Sequence, residues 1–304
     1  MKIKNLFATF LTLTFVTFTY AASDTTSSIR GVITGPDGDP VANASVTVVH
    51  EPSGSTVSKS SNAQGVFIAN NLRVGGPYKL TVVSAYGSQS VSNIYTKLSE
   101  TFSASLVLEE SENVVTVGSK TSYNETYKTG ARSNLSSEDL SSISSITRGL
   151  KDAVATVPFV NVYSLSFEDD DQEGFTIAGQ NPRYSTFSVD GVAQNDDFGL
   201  EKQGYPTIQS PISLDALEQV TVTVTDFDVR YSGSSAGNIN AVTKSGTNEY
   251  AGTVFSYLQD DSLRGDTVDG FKPTTGEYEE ETFGFTFGGP ITKDKLFFFV
   301  NVDN

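Results

Sequence analysis

The sequence predicts a mainly β protein in three successive parts: a β-sandwich, an α+β domain, and the first strands of a transmembrane β-barrel. Three observations predict this order. Between Ile29 and Leu108, short runs rich in Val, Thr and Ile alternate with Gly, Pro, Asn and Asp clusters, which is typical of a sandwich. Apolar residues fall close to helical spacing from Ile146 to Val157, and extended runs follow. From Tyr250 onward, strands alternate aromatic with small or polar residues, as membrane-barrel strands do.

Residues 1–22 are expected to be a secretory signal peptide. Lys2 and Lys4 precede an uncharged apolar stretch from Leu6 to Tyr20, and small residues follow from Ala21. The apolar stretch is shorter than the roughly 20 residues that a spanning helix needs. The protein is therefore expected to leave the cytoplasm.

The composition excludes several classes of function. The formal net charge is −16, from 20 basic and 36 acidic residues, so binding to nucleic acid is not expected. Cysteine is absent, which removes disulfides and thiolate metal sites. No phosphate-binding loop, zinc spacing, nucleotide fingerprint or nucleophile motif occurs, so no enzyme activity and no cofactor is predicted.

Metal binding is also not predicted. The single histidine, His50, is expected to be a surface or strand-end residue, because a catalytic zinc site needs about three protein ligands. Two acidic clusters, Glu168–Asp171 and Asn195–Asp197, offer oxygen ligands for calcium but lack the spacing of an EF-hand loop. Solvated acidic loops are the favoured interpretation.

The first domain, residues 28–108, resembles the carboxypeptidase regulatory-like domain. The resemblance rests on Gly31-Val32, Gly38-x-Pro40 with Ser45-Val46, Asn62-x-x-Gly65-x-Phe67, and Gly76-x-Tyr78-x-Leu80-x-Val82. It implies a prealbumin-like β-sandwich without peptidase chemistry. The predicted strands are Ile29–Thr34, Ala44–His50, Val66–Ala69, Tyr78–Ser84 and Ser103–Leu108.

Residues 146–245 resemble the plug domain of TonB-dependent outer-membrane receptors, and most closely the Oar-like subgroup. The matching segments are Gly149–Val162, Phe175–Tyr184, Val189-Asp190-Gly191-Val192, and the block from Leu217 through Arg230 to Asn248. Ala178 departs from the pattern, because many plugs have Arg before Gly179. An α+β fold with a hairpin at Asp190-Gly191 is expected.

Residues 109–145 are expected to be a polar linker. Its one β-like run is Asn113, Val114, Val115, Thr116 and Val117. The resemblance implies a TonB box just ahead of the plug, where TonB binds by strand addition. A strand that completes the sandwich, or plain linker, remains the alternative for this run.

Residues 246–304 are expected to be the first three strands of an outer-membrane barrel. Phe283, Phe285 and Phe287 alternate with Gly and Thr, which suits lipid on one side and a plug on the other. Plugged barrels of this class close with about 22 strands, so the chain is expected to be the N-terminal part of a longer receptor.

The resemblance implies a function for the whole receptor. It implies energy-coupled uptake of a scarce solute, oligopeptide or oligosaccharide through a plugged barrel, with TonB and outer-membrane lipid as partners. The plug loops expected to face the ligand contain Gln180, Asn181, Pro182, Arg183, Tyr184, Asn195, Asp196, Asp197 and Phe198. The alternative is a secreted or surface-attached binding module, for carbohydrate or protein, without transport.

Overall fold

The computed structural model of the chain describes residues 24–108, 131–145, 148–165, 172–196, 207, 210–224, 235–263 and 279–304. The expected signal peptide lies outside these residues. The strands are β1 (Ser27–Thr34), β2 (Ser45–His50), β3 (Ser55–Ser60), β4 (Val66–Leu72), β5 (Gly75–Ser84), β6 (Gly87–Thr96), β7 (Thr101–Val107), β8 (Arg132–Ser136), β9 (Val160–Leu165), β10 (Gln172–Ile177), β11 (Thr186–Val189), β12 (Val192–Ala193), β13 (Leu217–Thr223), β14 (Asn238–Thr243), β15 (Ala251–Asp260), β16 (Glu279–Thr292) and β17 (Leu296–Asp303). The helices are α1 (Ser137–Ser142) and α2 (Leu150–Val154).

Residues 24–108 form the predicted β-sandwich from two sheets. One sheet has the order β4-β1-β7 and the other β3-β2-β5-β6. Alternating apolar side chains of both sheets meet in one core, because successive side chains of a strand point to opposite faces. Fully buried members of this core include Ile29, Val46, Leu80 and Ile94.

All five strands predicted in the sandwich are confirmed within three residues at each end. Two further strands, β3 and β6, lie at opposite edges of the four-stranded sheet. Every residue of β3 is exposed except the half-buried Val57, so the strand has no apolar alternation to reveal it. Only hydrogen bonds to β2 define it.

The α+β domain, called the plug below, is built on a five-stranded sheet with the order β12-β11-β14-β13-β8. Strands β9 and β10 pair separately. The predicted hairpin is confirmed: Val189 pairs with Val192 across Asp190 and Gly191, which both have positive φ as the tight turn requires. The core between the main sheet, the helices and β10 includes Leu140, Leu150, Ile177, Val220 and Ile239.

Two parts of the plug differ from the expectation. The segment expected to be linker up to residue 145 contains β8, which pairs with β13, and α1, which begins with a capping box formed by Ser136 and Asp139. The helix expected over residues 146–157 is limited to α2 among the described residues. The elements β8, α1 and α2 have only 5, 6 and 5 residues. Each is therefore too short for its apolar residues to define its ends in the sequence.

The last three strands form an antiparallel sheet in the order β15-β16-β17. Phe285 of β16 lies opposite Val254 and Val302, and all three are exposed on the outer face. Thr282, Gly284, Thr286 and Gly288 are buried on the inner face. The alternation predicted for β16 is therefore confirmed, with one apolar outer face and one face of small and hydroxyl residues.

An aromatic cluster marks one end of this sheet. The ring of Phe287 lies 6.0 Å from Tyr250 and 5.6 Å from Phe298. The hydroxyl of Tyr250 donates to the Pro290 carbonyl at 2.9 Å. Aromatic rings with one polar tip are typical of the membrane–water interface. In the part of the chain that the structure describes, no helix combines the length and the apolar character needed to cross a membrane.

Candidate functional site

The two ends of the plug sheet face different surroundings. Strand β14 ends at Thr243, and the next residues lead into β15, so this end of the sheet lies at the plug–barrel junction. Strand β11 runs parallel to β14, with Thr186 opposite Asn238. Residues directly before Thr186 therefore lie at the other end of the sheet, called the distal end below.

Hydrogen bonds bring the two predicted ligand-facing loops together at the distal end. The amide of Arg183 donates to the Asn181 side chain at 3.0 Å, which begins the turn Pro182–Tyr184. The side-chain Nδ2 of Asn195 donates to the Ser185 carbonyl at 2.8 Å, and its Oδ1 accepts from the backbone amide of Phe187 at 3.1 Å. Asn195 thus joins the second loop to the start of β11.

The side chains at the distal end differ in exposure. Gln180, Asn181, Arg183 and Tyr184 are exposed, whereas Pro182 is buried. Asn195 and Asp196 are half-buried, and Asp197 and Phe198 lie outside the described residues.

Phe159 also lies at the distal end, although the sequence did not single it out. Its side chain is 69% exposed and its φ is +69°, an unusual backbone conformation for an aromatic residue. Its carbonyl accepts from the Ala178 amide at 2.8 Å, next to the loop that begins at Gly179. The Pro158-Phe159 sequence after a helix was the only available signal.

Arg148 joins the plug interior to the barrel wall. Its Nε and Nη2 atoms donate to the two carboxylate oxygens of Asp215, each at 2.8 Å. Its guanidinium carbon lies 5.9 Å from the ring centroids of Phe255 and Tyr257 in β15. The hydrogen bonds to Asp215 raise the pKa of Arg148, so this buried cation stays charged. The residue sits directly before the Gly149-Leu150 motif but carried no signal of its own.

A cavity of about 230 Å³ lies at the plug–barrel junction. Plug residues Glu218 and Lys244 line it together with Thr253 and Thr286 of the barrel wall. Burial raises the pKa of the Glu218 carboxyl, and the charges of Lys244 and Arg73 oppose that rise. The cavity is thus bounded by plug and barrel, with a cation of the sandwich nearby.

The candidate TonB box, Asn113–Val117, lies outside the described residues. The chain re-enters the described part just before β8, at the edge of the plug sheet.

The described residues contain no group of three or more His, Asp or Glu side chains arranged to hold a metal ion. His50 ends β2 as expected but is buried, not a surface residue. Its Nδ1 lies 2.7 Å from the Ser53 hydroxyl, and its ring packs 4.8 Å from Tyr78. Burial, reinforced by the charge of Arg73, lowers its pKa to about 4. It is a neutral core group.

Three family models match the chain in succession. Residues 28–109 match the carboxypeptidase regulatory-like domain, residues 125–239 the TonB-dependent receptor plug domain, and residues 242–304 an outer membrane beta barrel domain. The matches follow the order of sandwich, plug and barrel strands in the structure.

One relative is the TonB-dependent transporter Oar of Myxococcus xanthus. It is 34% identical over 136 residues, which is 42% of this chain and 12% of the relative. The chain thus spans about an eighth of that relative's length.

Two solved receptors show partial likeness. The siderophore receptor PirA from Acinetobacter baumannii is 22% identical with a TM-score of 0.44, covering 62% of this chain and 26% of that chain. The outer membrane transporter YddB from Escherichia coli is 13% identical with a TM-score of 0.43, covering 57% and 26%.

Proposed function

Because the chain belongs to the Oar-like TonB-dependent receptors of the outer membrane, we propose that it is the N-terminal portion of an energy-coupled uptake receptor. The complete barrel would admit a scarce solute from outside, and the plug would block the lumen until TonB acts on it. The sandwich would lie on the periplasmic side, where β15 begins and the β16–β17 turn lies.

The contact of Arg148 with Phe255 and Tyr257 is the observation that carries this proposal. A cation that is paired with Asp215 inside the plug also lies against the inner face of β15. The outer face of the same sheet exposes Phe283, Phe285 and Phe287. A sheet with a packed inner face and an exposed apolar outer face fits a plugged barrel in lipid. In a soluble module the same outer face would expose aromatic side chains to water.

The distal end of the plug is the proposed ligand-facing surface. It combines exposed amides of Gln180 and Asn181 with the exposed rings of Tyr184 and Phe159. Hydrogen-bonding groups beside aromatic faces suit a polar solute with apolar portions, such as an oligopeptide or oligosaccharide. Asp197 and Phe198, which were also predicted to face the ligand, lie outside the described residues.

TonB is the proposed periplasmic partner. It would add a strand to Asn113–Val117, since a short run rich in Val within a polar segment has the composition of a strand that pairs with a partner's sheet edge. The pull would reach β8 through the intervening residues.

The binding-module alternative is not favoured. A secreted module would need neither a plug nor membrane strands, yet residues 125–239 and 242–304 match these two domains.

Binding of the purified periplasmic domain of TonB to the full-length receptor tests the coupling role. Deletion of Asn113–Val117 should abolish binding, because the pairing strand is removed. Deletion of five residues elsewhere in the same segment, Ser122–Thr126, should preserve it. Equal binding by both variants would show that the coupling strand lies elsewhere. If TonB fails to bind wild type as well as both variants, and uptake persists without TonB, the energy-coupled function is overturned.

A further inference from the structure

The sandwich contacts three neighbouring strands of the plug sheet. The Leu98 amide donates to the Gln219 side chain of β13 at 2.7 Å. The Asn134 side chain of β8 donates to Glu100 at 2.6 Å, and that of Asn240 in β14 donates to the Asp24 carbonyl at 2.6 Å. One side of the sandwich therefore lies against β14, β13 and β8 together.

Leu98 shows that this contact buries side chains. It has no exposed surface, yet it belongs neither to the sandwich core nor to the plug core. Its partner Gln219 is also buried. A fully buried leucine outside both cores, bonded through its amide to the other domain, is buried by the interface itself.

The same side of the sandwich reaches the plug–barrel junction. The Asn248 amide donates to the Pro52 carbonyl at 2.8 Å, and Arg73 donates to the Gly246 carbonyl at 3.3 Å. The Arg73 guanidinium also lies 5.5 Å from the Phe297 ring centroid. These contacts add the barrel rim to the docking surface.

The sandwich approaches β13 closely at Gly75. A Cβ atom at this position would lie 2.7 Å from Oε1 of Glu218 in β13. Any larger residue would have to displace this carboxylate, which lines the junction cavity. The corner of the sandwich that carries Arg73 and Gly75 thus lies against one half-buried carboxyl.

Strand β8 depends on this interface more than the other plug strands. It is an edge strand whose one strand partner is β13. Asn134, in its centre, accepts from the Thr221 hydroxyl of β13 at 2.5 Å and donates to Glu100 of the sandwich. One side chain therefore ties β8 to its neighbour and to the docked domain at once.

We propose that the N-terminal sandwich acts as a clamp: it docks against strands β14, β13 and β8 of the plug sheet. Its contacts through Leu98, Glu100 and Arg73 hold the edge strand β8 in that sheet. The clamp is reversible, because its contacts are mostly polar and interfaces of this kind between domains permit motion. Undocking therefore loosens β8 first and leaves β11, which lies next to the opposite edge strand β12, unaffected.

The clamp deepens the proposed function. The polar segment from residue 109 begins on the sandwich and ends at β8, so a partner that pulls on it would act on both sides of the interface. The presence of the clamp, however, can be measured without TonB, ligand or transport.

Amide hydrogen exchange of the full-length receptor tests the clamp. Leu98→Asp places a charge in the buried interface, and Glu100→Ala removes the acceptor for Asn134. Each should speed exchange of residues 132–136 by at least about tenfold, since a hydrogen bond to a charged group and buried apolar contact are lost. Glu100→Gln keeps an acceptor oxygen and should stay within about twofold of wild type.

Residues 186–189 of β11 provide the internal reference, because β14 and β13 separate this strand from β8. They should exchange at the wild-type rate in every variant. If Leu98→Asp unfolds the sandwich itself, exchange in β1 and β2 will reveal it, and Glu100→Ala then decides. Wild-type exchange of residues 132–136 in Glu100→Ala would overturn the clamp, and equal acceleration of β11 would do so too. Failure of TonB binding would overturn the proposed function and leave this result standing.

Discussion

Arg148 and Asp215 are 67 residues apart in sequence and form a two-point ion pair inside the plug, with both N–O distances at 2.8 Å. The same guanidinium lies against Phe255 and Tyr257 of the barrel wall. This buried cation therefore contributes both to the stability of the plug and to its contact with the barrel wall.

Arg148→Ala is expected to loosen the plug. Removing one partner of a buried pair leaves the Asp215 charge uncompensated and typically costs about 3–5 kcal/mol. Amide exchange of α2 in the full-length receptor should become at least about a hundredfold faster. Arg148→Lys keeps the charge but loses the planar fork, so an intermediate effect is expected. Arg30→Ala, at an exposed position of β1, is the charge-matched control, and an equal effect there would contradict the assignment.

The sandwich should lose stability in mild acid because of His50. Its pKa is about 4 when folded and 6.5 when unfolded, so the unfolded chain binds the extra proton between these values. The free energy of unfolding should therefore fall as the pH drops from about 6.5 towards 4, by roughly 1–3 kcal/mol from this group alone. Denaturant unfolding of residues 24–108 at several pH values measures this slope. His50→Gln removes the titration, and an unchanged slope in that variant would refute it.

Gly246→Ala should disrupt the plug–barrel junction. A Cβ atom there would lie 2.3 Å from the Phe298 carbonyl oxygen and 2.7 Å from that of Gly289, and backbone atoms cannot move aside cheaply. A cost of about 1–3 kcal/mol is expected from such overpacking. The folded fraction of the full-length receptor, read from its heat-modifiable electrophoretic band, should fall. Gly35→Ala is the control, since its nearest neighbours lie at 3.8 Å.

At the distal end, the variants Asn195→Ala and Tyr184→Ala should differ in their effect on loop structure. Asn195 is expected to hold the loop, whereas Tyr184 is expected only to present an exposed ring to a ligand. Asn195 satisfies two backbone groups, so its removal should speed exchange of the Phe187 amide and cost about 1–2 kcal/mol locally. Tyr184 is 55% exposed, and its truncation should leave that exchange unchanged. Faster exchange in both variants would mean that Tyr184 supports the loop.

Elements with a regular apolar pattern could be predicted from the sequence. Strand β2 lies within one residue of its predicted ends, and the alternation of Phe283, Phe285 and Phe287 gave the correct faces of β16. In both strands one face is buried against other side chains, so burial leaves a period of two in the sequence.

Edge strands with few apolar side chains could not be predicted in this way. In β3 and β8, Val57 and Leu135 are the single apolar side chains, because an edge strand with little buried surface needs only backbone bonds from one neighbour. The buried Asn240 illustrates a second limit. Its amide donates to Asp24, 216 residues earlier, and such distant partners leave no local pattern.

The candidate site was predicted in part. The loops with Asn181 and Asn195 were selected by resemblance, and both lie at the distal end, although their role in ligand binding stays a prediction. Arg148 and Phe159 were missed, since the first depends on a partner 67 residues away and the second on its backbone conformation.

The aromatic cluster of Tyr250, Phe287 and Phe298 also indicates where the molecule lies along the membrane normal. Gly289, whose added Cβ would touch the Tyr250 ring, lies beside Gly246, where Arg73 docks. If these rings sit at the inner boundary of the hydrocarbon layer, the docked sandwich begins within one side-chain length of the lipid headgroups. The position of this domain along the membrane normal is then fixed by the barrel strands themselves.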